Sequence, residues 1–394
     1  MILENNLFGM EIDRRAAEIA SFALEMKARE HDPRFFEREI DAHITVFDSV
    51  VFDSQELRYI GEIEHNRDLM ESLSMLGAVG SLYCPDSSAV ADVQRKLRSF
   101  NTDGGIFAEA SFSRLMAIQS YLGVLASSYH CVITNPPYMT NKNITPSVSN
   151  WLSSHYSDER YDLCTCFISR GISFLKTGGY LAEITMQSWM FEASFERFRS
   201  ALLDANSLSS LAHLGIKAFE GVGNDVVQTA AFVILHDRSS SKATFIKLDD
   251  CKDFLKKQSE FFVQKRRYSV NIEGIKRIPG EPLTAYWAPS PLFDAWQDSH
   301  KIEEFGDYTG SQNVTGNNNR YLRYFWEVSE SSIVPGYWVP YAKGGNFRRY
   351  YGNITHVVDW RESTRLPRAP SAFSKLREKT GTSRKQAWIS ARTS

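Results

Sequence analysis

The run Tyr129-His-Cys-Val-Ile-Thr134 is short and mainly apolar, and it leads directly into Asn135-Pro136-Pro137-Tyr138. A run of this kind reads as a buried strand. Two successive prolines, each fixed at φ of about −65° and lacking an N–H donor, cannot continue its ladder. The strand therefore ends in a stiff loop at residue 135. That loop suits chemistry on an exocyclic amine of a base, whose lone pair is delocalised into the ring and is a poor nucleophile. The Asn135 side-chain oxygen and the Pro136 carbonyl can accept both N–H bonds and localise the lone pair, while Pro136 and Pro137 hold the acceptors still. Tyr138 offers a flat face to a base, which has to leave its duplex to be reached. A plain proline turn with a tyrosine anchor is the competing reading. Placement directly after a strand favours the catalytic one.

The surrounding pattern is that of an α/β sheet. Asn6 to Ile12 is a short apolar run, and Ala16, Ile19, Ala20, Ala23 and Leu24 follow at helical spacing after Asp13 as N-cap. Glu11 thus falls near a strand's carboxyl end, where doubly wound sheets use an acid to accept hydrogen bonds from ribose hydroxyls; a helix cap is its other reading. Segments 54–73, 87–100 and 111–127 read as helices. A helix over 162–176, the break Gly178-Gly179 and a strand over 180–185 form a helix–strand unit. After a helix over about 188–203, the apolar runs 208–215 and 226–236, joined by a short connection containing Phe219, predict an antiparallel hairpin. Residues 1–237 are accordingly expected to form a Rossmann-like α/β domain with a mixed, mostly parallel sheet. A connecting region over 238–308 and a region of short strands and loops over 309–360 follow.

Composition narrows the classes. Hydrophobic content of 43% and charged content of 23% are those of a globular chain. The five cysteines, Cys84, Cys131, Cys164, Cys166 and Cys251, form no CxxC pair. Neither a metal site nor a disulfide framework is expected, and a reducing cytoplasm fits. No apolar stretch approaches membrane-spanning length and no signal peptide is evident, so no membrane partner is expected. Residues 361–394 carry nine Lys and Arg against two acids, so a net charge of −2 divides into −9 and a tail of +7. With little apolar periodicity, that tail reads as disordered.

Four phrases carry a resemblance: Leu3 to Ala17, Ile133-Thr-Asn-Pro-Pro-Tyr-Met139, Gly310 to Arg323, and Tyr341-Ala-Lys-Gly-Gly-Asn-Phe-Arg-Arg-Tyr-Tyr-Gly-Asn353. Together they resemble the S-adenosylmethionine-dependent DNA adenine-N6 methyltransferases of the Type IIG-like and BREX PglX-type group, over residues 1 to about 360. The resemblance implies S-adenosylmethionine as cofactor and double-stranded DNA as substrate, in phage defence or restriction-modification. Other phage-defence proteins, or a separately encoded N-terminal piece, are the further partners it suggests. By position, Asn135, Pro136, Pro137 and Tyr138 would hold the target adenine, Phe219 would stack on its other face, and Glu11 would take the cofactor ribose. Asn317, Arg320, Arg323, Lys343, Arg348 and Arg349 would contact DNA from a partial target-recognition region.

Two departures bear on this. The family's Gly-x-Gly cofactor loop is expected a few dozen residues before Glu11, and the acid for the cofactor's adenine amine is not evident over 74–84. The resemblance therefore implies a fragment lacking the first strand, its Gly-rich loop and much of the C-terminal region. A catalytically inactive DNA-binding remnant, and an enzyme acting on RNA or protein glutamine, are the alternative readings.

Overall fold

The computed structural model describes residues 2–361 apart from 39, 61–62, 64–65, 102–104, 141–142, 220–226, 299–316, 334–336, 342, 344, 348–351 and 353. The basic tail from 362 onward lies outside the described residues. The chain divides into two compact units, 1–299 and 300–394.

In the first unit, β1 (Phe8–Glu11) pairs in parallel with β2 (His43–Val46), with Glu11 opposite Val46. Between them, the helix Arg14–His31 is capped by Asp13, whose carboxylate accepts from the backbone N–H groups of Arg15 and Ala16. A six-stranded sheet has the order β3-β4-β6-β5-β7-β8. Its strands are β3 (Tyr129–Thr134), β4 (Leu175–Met186), β5 (Ser207–Gly215), β6 (Thr229–Leu235), β7 (Lys242–Lys247) and β8 (Arg267–Asn271). The β3–β4 and β5–β7 pairs are parallel, and β4–β6, β5–β6 and β7–β8 are antiparallel. The mixed α/β sheet and its antiparallel β5–β6 hairpin follow the expectation, although the hairpin lies inside the sheet and does not close it.

The boundary expected at 237 does not hold. β7 and β8 extend the same sheet, and Tyr286 stacks on Phe245 of β7 with ring centroids 4.8 Å apart. The buried guanidinium of Arg199 donates to the carbonyls of Trp189, Glu192, Gly280 and Glu281, tying the later segment to the helix Glu196–Ala205. A polar break in sequence marks a loop, and here the chain returns from it to pair again.

Two large apolar clusters flank the sheet, and a smaller third one forms around Ala212, Ile246 and Leu248. One joins Leu181, Trp189, Phe232 and Phe245 to Ile275 and Leu283, and the other packs the helices of 67–125 and 146–155 around Phe47, Leu115 and Trp151. The helix Leu163–Ser173 approaches β4 closely at Gly171, where a Cβ would lie 2.5 Å from Leu181 Cδ1. Beside that contact sits Glu183 of β4, 2% exposed, with no partner for either carboxylate oxygen among the described residues. Burial pushes its pKa well above the ordinary carboxyl value.

β3 was expected to be a buried strand, yet Cys131 is exposed and Ile133 is 78% exposed. Its ladder runs to β4 alone among the described residues, as that of β1 runs to β2 alone.

The second unit, described by itself, contains a three-stranded antiparallel sheet of order β10-β11-β9: β9 (Leu322–Tyr324), β10 (Trp338–Tyr341) and β11 (His356–Asp359). Tyr321, Leu322 and Val358 form its small core.

Candidate active site

At the carboxyl end of β3, the proline pair stops the ladder and turns the chain across the end of β4. Pro136 is buried while Asn135 is exposed, so the loop is anchored and its amide side chain is presented outward. The Tyr138 hydroxyl lies 3.0 Å from Asn135 Oδ1 and 3.2 Å from the Ile184 carbonyl on β4, and its one proton is shared between them. Burial foremost, with Cys164 adding to it, pushes the Tyr138 phenol up to about 12, so the hydroxyl stays a neutral donor. Downstream, Leu163 N–H donates to the Met139 carbonyl at 2.9 Å, and Thr140 bridges to Asp162. Asp162 in turn caps the helix 163–173 through Cys164 N–H at 3.1 Å. The loop is thus held at both ends. A hydroxyl that orients Asn135 is a role that a purely face-on reading of Tyr138 misses.

Glu11 ends β1 as expected, but one of its oxygens is already engaged: Oε1 accepts from Ile12 N–H at 2.8 Å and Asp13 N–H at 3.0 Å. These bonds brace the turn between β1 and the helix, whose cap is Asp13 and not Glu11, and they engage one carboxylate oxygen. A second acid stands next to Glu11. β2 continues through Phe47, whose N–H donates to the Glu11 carbonyl at 2.8 Å, to Asp48, which pairs with Arg14 Nη2 at 3.2 Å. Sequence reading missed Asp48 because it missed β2. The signal was His43-Ile-Thr-Val46, a β-branched run followed by an acid as in β1. The stretch 74–84, where the resemblance would place an acid, is made of helical turns at Leu76–Val79 and Gly80–Leu82.

Phe219 follows β5 by four residues and is 37% exposed. Residues 220–226, completing the expected connection, lie outside the described residues. In the second unit, Asn317 caps a short helix by accepting from Arg320 N–H at 3.1 Å. Arg323 donates to the carbonyls of Asn319 and Leu322. These two have local structural duties, whereas Arg320 and Lys343 are exposed. Arg348 and Arg349 lie outside the described residues. Among the described residues no group of His, Cys, Asp and Glu is placed to hold a metal ion, and no helix is long and apolar enough to cross a membrane.

Comparison with known proteins adds a family to this geometry. The chain is 29% identical over 397 residues to the adenine-specific methyltransferase BrxX of Escherichia coli O9:H4 (strain HS), a match covering 91% of this chain and 33% of that protein. It is 31% identical over 392 residues to the adenine-specific methyltransferase PglX of Lacticaseibacillus casei (strain Zhang), covering 91% and 32%. The chain thus spans about a third of the length of the curated relatives it matches. Among solved structures it is similar to the type I restriction-modification methyltransferase subunit of Streptococcus thermophilus, at 14% identity and a TM-score of 0.30, covering 43% of this chain and 45% of that one. The model of the Eco57I restriction-modification methylases matches residues 5–219, a span that includes Glu11, Asp48 and Asn135 to Phe219. With more than half of its length matched by that model, the chain belongs to the Eco57I restriction-modification methylase family.

Proposed function

We propose that this chain carries the base-holding part of a DNA methyltransferase that moves a methyl group from S-adenosylmethionine to N6 of an adenine turned out of double-stranded DNA, in cytoplasmic phage defence or restriction-modification. The observation that carries the reading is the outward Asn135 amide at the carboxyl end of β3, with the Tyr138 hydroxyl on its oxygen at 3.0 Å, in a chain of a methylase family.

The chemistry of the described residues fits the cofactor's nucleoside. Glu11 keeps one oxygen for ribose hydroxyls, and Asp48 at the end of the neighbouring strand can accept from an exocyclic amine. When bound, S-adenosylmethionine supplies an electrophilic methyl on a sulfonium. The chain's own part is to hold the target amine: Asn135 Oδ1 and the Pro136 carbonyl accept its two N–H bonds, concentrating the lone pair on nitrogen as the attack begins. Preorganised acceptors of this kind need no reorganisation in the transition state. Tyr138 offers its ring to one face of the base and Phe219 to the other. Double-stranded DNA is the partner for residues 309–360, with other phage-defence proteins or a separately encoded N-terminal piece as further partners. Transfer of labelled methyl into unmethylated genomic DNA, with the product identified as N6-methyladenine by mass spectrometry, tests the whole reading. Label in N4-methylcytosine, RNA or protein glutamine instead would overturn it.

Two narrower results are expected. Tyr138→Phe keeps the ring but loses a hydrogen bond worth about 0.5–1.5 kcal/mol, so kcat should fall roughly two- to tenfold while KM for DNA hardly moves. An unchanged kcat would mean that the hydroxyl does not orient Asn135. Neutralising Arg320 and Lys343 together should flatten the slope of log K against log salt by up to about two units. If the slope stays as it was, these residues form a solvated face and nothing more.

A further inference from the structure

The sheet of the first unit carries a second polar feature at the edge that holds Asn135. The β3–β4 and β5–β7 pairs are parallel and are joined through the antiparallel β6, so the carboxyl ends of β3, β4, β5 and β7 all lie at that edge. Just past β4, Gln187 N–H donates to the Gln228 carbonyl at 3.0 Å, beyond the last ladder pair, Met186 and Thr229. The two side chains meet as well, Gln187 Nε2 donating to Gln228 Oε1. Behind them stands the buried His213 of β5, with Nε2 2.7 Å from Gln187 Oε1 and Nδ1 3.3 Å from the Tyr286 hydroxyl.

The direction of this run is fixed at its buried end. Tyr286 is 2% exposed, and His213 is its hydroxyl's one hydrogen-bond partner among the described residues, so the phenolic proton goes to Nδ1. Burial foremost keeps the imidazole pKa below its ordinary value, and a neutral ring that accepts at Nδ1 carries its proton on Nε2. Nε2–H then donates to Gln187, and Gln187 donates to Gln228. The run ends on the amino group of Gln228, which is exposed and meets no acceptor among the described residues. Asp249 stands aside from it: Oδ1 is 4.0 Å from His213 Nδ1 and accepts from Lys247 Nζ at 2.6 Å. Each donor in such a chain is polarised by the one behind it, so the exposed end is a strengthened N–H donor. The fold itself gains little, because the backbone bond already joins Gln187 to Gln228 and apolar groups of the same shape would avoid the desolvation.

We propose that Gln228 is a DNA contact of this chain, its amide aimed by Tyr286, His213 and Gln187 and donating to a backbone phosphate oxygen of a nucleotide that flanks the target adenine. The inference rests on the methylation reading and adds to that site a contact that sets the register of the DNA. A donor selects an acceptor, and phosphate and sugar oxygens take about half to two-thirds of protein–DNA hydrogen bonds, those from glutamine amides included. The separation suits a flanking nucleotide. Thr134 pairs with Glu183, so Asn135 stands level with Ile184, three residues before Gln187, and Gln228 lies one strand farther across. At about 3.3 Å per residue and about 4.8 Å per strand, Gln228 is about 10 Å along and about 10 Å across from Asn135, or about four steps of a DNA strand at about 3.4 Å each.

The test measures the affinity of the purified protein for labelled DNA duplexes of differing sequence, by fluorescence anisotropy over a series of salt concentrations and without S-adenosylmethionine. Gln228→Ala should weaken binding about tenfold, as expected for loss of a hydrogen bond to a charged group, and by the same factor on every duplex. The slope of log K against log salt should stay as it was, since no cation is removed. His213→Phe, which unties the amide from behind, should weaken binding about threefold. His213→Gln, whose own amide can donate to Gln187 from the place of Nε2, should restore it, an outcome that a packing role for the ring would not give. Wild-type affinity in Gln228→Ala overturns the proposal, and so does a loss confined to some sequences, which would make Gln228 a reader of bases. Should the His213→Phe protein fail to fold, Gln228→Ala decides alone, because that side chain is exposed. Those outcomes leave adenine methylation standing, whereas a wild-type protein that binds no duplex takes away both readings.

Discussion

Asn135→Ala is expected to lower methyl transfer by about 10²–10³-fold while DNA affinity stays within a few-fold, because removing one preorganised acceptor in an active site typically costs that much in rate. The side chain has the two properties the role demands. It is exposed at the end of β3, and its oxygen is held by the Tyr138 hydroxyl at 3.0 Å, with Ile184 of β4 fixing that hydroxyl in turn. Alanine deletes the acceptor without touching Pro136, whose burial anchors the loop. The loss should therefore appear in kcat and not in the melting temperature. Asn135→Asp offers a sharper comparison: it keeps an acceptor of the same reach and should retain more activity than alanine. Single-turnover rates on genomic DNA decide the matter. Near wild-type N6-methyladenine from Asn135→Ala would remove the site from this loop.

Glu183 gives the second large effect, on stability. Burial raises its native pKa well above the ordinary 4.5, and neither oxygen has a partner among the described residues. Below about pH 4.5 native and unfolded chains both hold the proton and the group costs nothing through ionisation. Above it the unfolded chain releases the proton while the native one keeps it. Stability then falls by about 1.4 kcal/mol per pH unit until the native carboxyl itself ionises. Glu183→Gln should abolish that slope and raise the melting temperature progressively from pH 5 upward. Glu183→Met, which also removes the orphaned oxygens, should add about 1–3 kcal/mol at every pH. Thermal scans of the three proteins from pH 4.5 to 8 test both statements. Parallel curves for wild type and Glu183→Gln would show that the carboxyl finds a partner or water in solution.

What the sequence determined by itself was local. Two prolines after an apolar run end a strand whatever packs around it, and an acid near the end of the earlier short apolar run 6–12, Glu11, is placed by the same logic. The β5–β6 hairpin and the helices over 87–98 and 106–125 were legible for the same reason, since period and turn residues act over a few positions. β2 was not, because four residues between loops carry too little periodicity, and with it went Asp48. The domain boundary at 237 failed since a polar loop says nothing of whether the chain returns to the same sheet, which β7 and β8 do through long-range pairing. Burial was decided only by tertiary structure. β3 reads as a core strand, yet Cys131 and Ile133 are exposed, because exposure depends on which strands pair beside it, and among the described residues β4 alone does so. The hydroxyl of Tyr138 and the isolation of Glu183 belong to the same class: each is set by what β4 brings across the sheet, and no spacing within the loop or the strand encodes it.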